Sequence, residues 1–175
     1  MHLLLATLLA LGSAQTPPQP VEQVLPVEQL SPVEQVSPVE QVSPVERSRD
    51  LLAASSLLHT LDARREAAWA SSDPAALRAL YVPGSSAARS DVRLLRDYTR
   101  HGLVVRRIVT QVFALEVLRR DSAHLRLRLV DRVAGGVVQA GRRSRSLGTT
   151  RPAVRVVVLR RVGREWKVAE VSGRG

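Results

Sequence analysis

AVRVVVLRRVGREWKVAEV, running from Ala153 to Val171, reads as two strands around a tight turn. Val154, Val156 and Val158 alternate with Arg155, Val157 and Leu159, so the two sets lie on opposite faces of one strand. Gly163 marks the break, and Trp166, Val168 and Val171 resume the apolar pattern. Valine-rich runs on either side of a short glycine-containing break predict a hairpin. Working outward, Ala123–Val133 is the clearest further strand: Leu125, Leu127 and Leu129 point one way, His124, Arg126 and Arg128 the other. Leu103–Val109 and Val112–Leu118 read as two more strands, Gly135-Gly136 as a turn and Val137–Ala140 as a short strand. Residues 141–151, GRRSRSLGTTR, carry no pattern and are expected to form a mobile loop.

Upstream of Leu103 the apolar period is helical. Ser48 to Ser72 predicts a long helix capped by Ser48 or Asp50, with Leu51, Leu58, Leu61, Ala68 and Trp69 near one face. Asp73-Pro74 restarts a second helix, with Asp73 as cap and Pro74 at the first helical position. Leu77, Leu80 and Tyr81 give it a short apolar stripe, and Pro83-Gly84 ends it. A third begins at Ser85 or Ser86, turns Val92, Leu94, Leu95 and Tyr98 inward, and stops at Gly102. Helices followed by a meander of strands predict an α+β domain, with the helices on one face of an antiparallel sheet. The domain is placed at residues 50–175, long enough to bury a full core.

The charge is lopsided. Residues 1–50 hold two basic and six acidic side chains, net −4, while the remainder holds 24 basic and 10 acidic ones, net +14. Lys167 is the only lysine. Arginine favours bidentate contacts to phosphate and carboxylate. Here the arginines are spread along the whole domain, which reads as a compositional bias rather than a phosphate-binding face. The absence of cysteine removes disulfides, thiolate metal sites and a thiol nucleophile.

Residues 1–14, MHLLLATLLALGSA, have the pattern of a secretory signal: an apolar core from Leu3 to Leu11, then Gly12 and Ala14 at the −3 and −1 positions. Export to the cell envelope or medium is therefore expected, with cleavage after Ala14. No run reaches the ~20 apolar residues of a membrane-spanning helix. Prolines 20, 26, 32, 38 and 44 then recur every six residues and open PVEQVL, PVEQLS, PVEQVS, PVEQVS and PVERSR. Such spacing breaks helices. Residues 15–49 are read as a disordered linker, extended and partly polyproline-II over Gln15 to Arg47, with a reach of up to roughly 100 Å.

The run Leu61 to Ser85, LDARREAAWASSDPAALRALYVPGS, followed by a third helix, by GLVV at Gly102 to Val105 and by a strand-rich end, resembles the SnoaL-like, nuclear-transport-factor-2-like superfamily. The likeness is strongest to secreted actinobacterial members with a similar Asp-Pro-Ala-Ala-Leu…Tyr…Pro-Gly-Ser stretch. It covers about residues 50–172 and implies a strongly curved sheet, a cone plugged by helices. Relatives include isomerases and dehydratases that use the cone as a pocket, and others that only bind or dimerise, so a homodimer is one of the implied states.

An isomerase-like site needs a carboxylate base and an oxyanion donor in an apolar pocket. The candidates are His59, Asp62, Tyr81, Tyr98, Glu116 and His124. Glu116 sits amid apolar residues in FALEVL, so on a cavity-facing strand it would be a base. On a solvent-facing strand it would pair with a cross-strand arginine, which is the simpler reading. His59 reads as a boundary residue, His124 as exposed with Arg126 and Arg128, and Trp69 and Tyr81 as core aromatics. Asp62 and Glu66 fit i,i+3 or i,i+4 pairing with Arg65 and its neighbours along the helix. No pair matches a catalytic dyad. Histidine spacing gives no metal site, Gly135-Gly136 lacks the context of a phosphate loop, and no cofactor is expected. Five aromatics, none interleaved with the arginine runs, argue against nucleic acid. The expectation is an exported, non-catalytic domain that binds a protein or an apolar ligand. Its competitor is a polyanion binder for a cell-envelope polymer, using Arg126, Arg128, Arg142, Arg143 and Arg145.

Overall fold

The computed structural model of the chain describes residues 43–174. The leader expected at residues 1–14 and the repeat units before Ser43 lie outside the described residues. Helix α1 spans Pro44–Ala70 and starts earlier than the apolar pattern predicts. The Ser43 hydroxyl accepts from the Val45 N–H, and the Glu46 carboxylate accepts from the Ser43 N–H. Pro44 fills the first helical position, where its missing N–H costs nothing. The last proline of the series therefore opens the domain instead of extending the linker, and Ser48 and Asp50 lie inside the helix. The buried face of α1 begins only at Ala54, so Leu51, expected to face inward, is exposed.

Helix α2 (Pro74–Ala79) is capped by Asp73, whose carboxylate accepts from the Ala75 and Ala76 amides. Helix α3 (Ser86–Arg100) is capped by Ser85 and ends before Gly102, which takes φ +66°. Between them the chain stitches itself to the sheet. Val168 N–H donates to Leu80 O at 2.9 Å and Val82 N–H to Val168 O at 2.8 Å. This short parallel bridge covers the sheet's last edge and fixes Tyr81 and Val82 on opposite sides of the segment.

The five-stranded sheet has strands β1 (Leu103–Arg120), β2 (His124–Ala140), β3 (Arg143–Ser146), β4 (Ala153–Val162) and β5 (Glu165–Arg174). Its order is β1-β2-β4-β5, all antiparallel. Strand β3 shares the far edge of β2 with β4. The expected hairpin is there, with Val162 opposite Glu165 and Gly163 at φ +62° in its two-residue loop.

Three expectations are corrected. The two strands read over 103–118 are one strand, bent by bulges between Arg106 and Val109, where Arg107 takes φ +53°. Gly135-Gly136 is not a turn but the middle of β2, facing that bulge; a Cβ on Gly136 would stand 3.4 Å from Arg107 O and Ile108 Cα. Glycine inside a strand marks a bend as readily as an end. Residues 141–151 contain β3 and then run on along β2, held by Leu147 N–H to Gly136 O and Thr150 N–H to Val133 O.

The bends curl the sheet, and the helices fill its concave side. Leu125, Leu127 and Leu129 are buried there as expected, joined by Val157, Leu159 and Val168. From the helices come Leu58, Leu61, Trp69, Leu77 and Leu95. Among the described residues no helix is long and apolar enough to cross a membrane.

Candidate functional site

Besides Asp62, buried on α1, polar groups reach the interior at two places. In the first, Arg65 of α1 donates from Nε to Asp91 Oδ2 at 2.7 Å and from Nη2 to Oδ1 at 2.6 Å. The Tyr81 hydroxyl donates to the same Oδ2 at 2.6 Å. All three residues are buried, and Arg65 also lies over the Trp69 ring. Burial is the largest influence and opposes the charge on Arg65, but the Asp91 carboxylate and the Tyr81 hydroxyl together outweigh it and raise the guanidinium pKa. Burial, with the neighbouring carboxylate, pushes the Tyr81 hydroxyl well above the ordinary phenol range despite the opposing pull of Arg65. The tyrosine thus stays a neutral donor and the arginine a cation. The cluster ties α1, α3 and the segment after α2 together by satisfying its own groups. Arg65 is held by a bidentate pair with Asp91, 26 residues away, a contact that helix-internal spacing does not announce.

In the second, Asp131 of β2 is buried and accepts from Arg155 Nε at 3.1 Å on the neighbouring strand. Burial raises its pKa, and Arg155 partly offsets this.

The sequence-derived candidates fall elsewhere. Glu116 lies on the convex face, its side chain 60% exposed, with Arg128 opposite in the ladder and 3.8 Å away. This corrects the cavity-base possibility, because the bulge phase of β1 turns Leu115 and Val117 inward and Glu116 out. His59 and His124 are exposed, Tyr98 is half-buried edge-on to Trp69, Asp62 is buried on α1, and Tyr81 enters a buried polar cluster. Arg126 and Arg128 sit near one end of β2, whereas Arg142, Arg143 and Arg145 are exposed at its other end, the last two on β3 beside it. These five do not form one patch. Among the described residues no group of three acidic, histidine or cysteine side chains is placed to hold a metal ion.

A recess that sequence reasoning missed lies on the outside of the helical layer. An open groove of about 810 Å³ runs between α2 and α3. Its floor is apolar and buried: Val82, Ala88 and Val92. Its walls carry Arg78, Arg89, Arg93, Arg96 and Arg100. The last four recur at spacings of four, three and four, which at 3.6 residues per turn places them within roughly a 60° arc of α3. Arg100 is paired with Asp97, the one acidic residue of the lining, and Arg89 donates to the Gly84 carbonyl. Arg78, Arg93 and Arg96 have no ion pair among the described residues. The arginines are therefore dispersed in sequence and gathered in space. The signal was their period on α3, read only for its apolar face.

No family model matches the sequence, and no curated relative does. Solved structures match by fold. The intermembrane-space region of the chloroplast protein ARC6 superposes with a TM-score of 0.50 at 12% identity, over 71% of this chain and 95% of that one. Aln2 from a Streptomyces species gives 0.49 at 13% identity, over 70% and 90%. The hexachlorocyclohexane dehydrochlorinase LinA-type3 from Novosphingobium barchaimii gives 0.45 at 12%, over 73% and 89%. At 12–13% identity these are likenesses of fold alone, and the fold expected from the sequence, helices on one face of a curved antiparallel sheet, is the one observed. Enzymes occur among them.

Proposed function

We propose that the protein is an exported, non-catalytic binding domain whose site is the α2–α3 groove, and that its ligand is an amphipathic anion. One observation carries this reading: five arginines wall a groove whose floor is aliphatic. Like charges three and four residues apart on a helix destabilise it, by about 0.2–0.5 kcal/mol per pair. A stripe that works against its own helix and faces a recess fits an anion that neutralises it. The apolar floor asks for an alkyl or similar tail beside the charged head. The cone supports a catalytic reading less, because Arg65, Asp91 and Tyr81 are engaged with one another.

The test is a titration of the full chain with dodecyl phosphate, followed by calorimetry, beside dodecyl maltoside and inorganic phosphate. Dodecyl phosphate is expected to bind below its micellar concentration and to lose at least tenfold in affinity in Arg93→Glu/Arg96→Glu. Equal binding of dodecyl maltoside, or indifference to the double substitution, would sink the proposal. Binding of heparin in preference to the alkyl phosphate, lost on changing Arg142, Arg143 and Arg145, would favour the polyanion reading instead.

A further inference from the structure

The repeat units before Ser43 lie outside the described residues, and their chemistry complements the groove. Residues 15–42 contain Glu22, Glu28, Glu34 and Glu40 and no basic residue. Aliphatic side chains and proline separate the acids; between Glu22 and Glu28 lie Val24, Leu25, Pro26 and Val27. That is an anion, an apolar run and a second anion. The groove offers the counterpart, with arginines at both ends of α3 and Val82, Ala88 and Val92 between them.

We propose that the segment around Glu22–Glu28 docks in the α2–α3 groove of its own chain and competes there with the anionic ligand. The inference rests on the groove being the binding site. Lengths fit. In an extended polyproline-type conformation, six residues separate the two carboxylates by about 19 Å. The arginine stripe, eleven residues from Arg89 to Arg100, is about 16 Å long.

Lengths also choose the unit. The domain's first described residue, Ser43, lies at the start of α1, and the groove begins near Ser72 beyond its end. Twenty-seven helical residues put these about 40 Å apart. The fifteen residues from Glu28 to Ser43 span about 46 Å when extended, which is enough. The nine from Glu34 span only about 28 Å, and the three from Glu40 about 9 Å. Only the first units can return to the groove of the same molecule. The later ones serve as the strap.

Because the chain has no cysteine, a single Ser31→Cys carries a nitroxide label in the full-length protein without competing sites. Amide signals of residues 78–100 are expected to broaden. The effect should vanish in Glu22→Gln/Glu28→Gln and in 0.5 M salt, and persist in Glu34→Gln/Glu40→Gln. It should also be absent when labelled and isotope-enriched copies are different molecules. No broadening, broadening unchanged by Glu22→Gln/Glu28→Gln, or broadening only between different molecules overturns the proposal.

Dodecyl phosphate separates this inference from the reading beneath it. A docked competitor weakens apparent affinity in proportion to the fraction of open sites, so Glu22→Gln/Glu28→Gln should bind about 3- to 10-fold tighter. Unchanged affinity in that variant, with binding still dependent on Arg93 and Arg96, removes the competition and keeps the groove. Broadening with no dodecyl phosphate binding in either form keeps the docking and removes the ligand.

Discussion

Helix α3 presents two opposite treatments of charge. On its inner side Asp91 holds Arg65 through both carboxylate oxygens and takes a third hydrogen bond from Tyr81, with all three residues out of water. On its outer side Arg93 and Arg96 stand exposed with no ion pair among the described residues. The inner arginine is consumed by structure. The outer ones crowd each other above an apolar floor. Residue type alone does not separate these roles; partner and burial do. Four substitutions probe the contrast, in falling order of effect on stability.

Asp91→Ala should be the most damaging. It leaves Arg65 charged and buried with its main partner gone, and breaking one side of such a pair costs about 3–5 kcal/mol. Urea unfolding should show that loss, and less than 1 kcal/mol would mean that the buried cluster does not hold the three helices together. Tyr81→Phe keeps the ring and removes one hydrogen bond to a charged acceptor, so about 1.5–3 kcal/mol is expected in the same measurement. A neutral result would mean that the Arg65–Asp91 pair is sufficient alone.

The contrast also explains what could be read in the sequence. Periodicity found the helices, the terminal hairpin and the inward face of Leu125, Leu127 and Leu129, because burial writes itself as a repeat of 3.6 or 2. It misread Gly135-Gly136, since a glycine pair breaks a strand in one context and bends it in another; which one follows depends on a bulge in the partner strand. It also missed where the first helix starts. Ser43-Pro44-Val45-Glu46 is a complete capping box, but it sat inside a repeat whose other copies suggested linker throughout. The Arg65–Asp91 pair joins positions 26 residues apart, and no local spacing announces it. The groove was written in the sequence at 89, 93, 96 and 100, on the face of α3 that apolar analysis discards.

Asp131 gives a third, intermediate case: buried and paired, yet with its pKa raised. Burial is the larger cause, and Arg155 only partly offsets it. The sign follows. The folded state holds the proton more tightly than the unfolded chain, so ionised Asp131 costs stability at pH above its raised folded pKa. That cost is relieved as the pH falls through the folded value toward the ordinary aspartate value near 3.9. Asp131→Asn keeps an oxygen for Arg155 and removes the titration. Its stability relative to the parent should therefore improve as pH rises from about 3.5 to 7. A difference that is flat in pH, or that moves the other way, would mean that Arg155 governs the carboxylate and burial does not.

The smallest effect on stability is expected at the groove, and its sign is the informative part. Arg93 faces Arg89 one turn before and Arg96 one turn after on the same side of α3. Each like-charge neighbour costs a few tenths of a kcal/mol, and glutamine is nearly as good a helix former as arginine. Arg93→Gln should therefore raise stability slightly at 20 mM salt. The gain should fade at 0.5 M salt, where the screening length shrinks to a few ångströms. A structural arginine would behave the other way, since its loss would destabilise the domain at both salt concentrations. A loss of 1 kcal/mol or more in Arg93→Gln would erase the contrast between the two sides of α3. A small, salt-sensitive gain together with weaker dodecyl phosphate binding would sharpen it, because the same side chain would then oppose the fold and serve the groove.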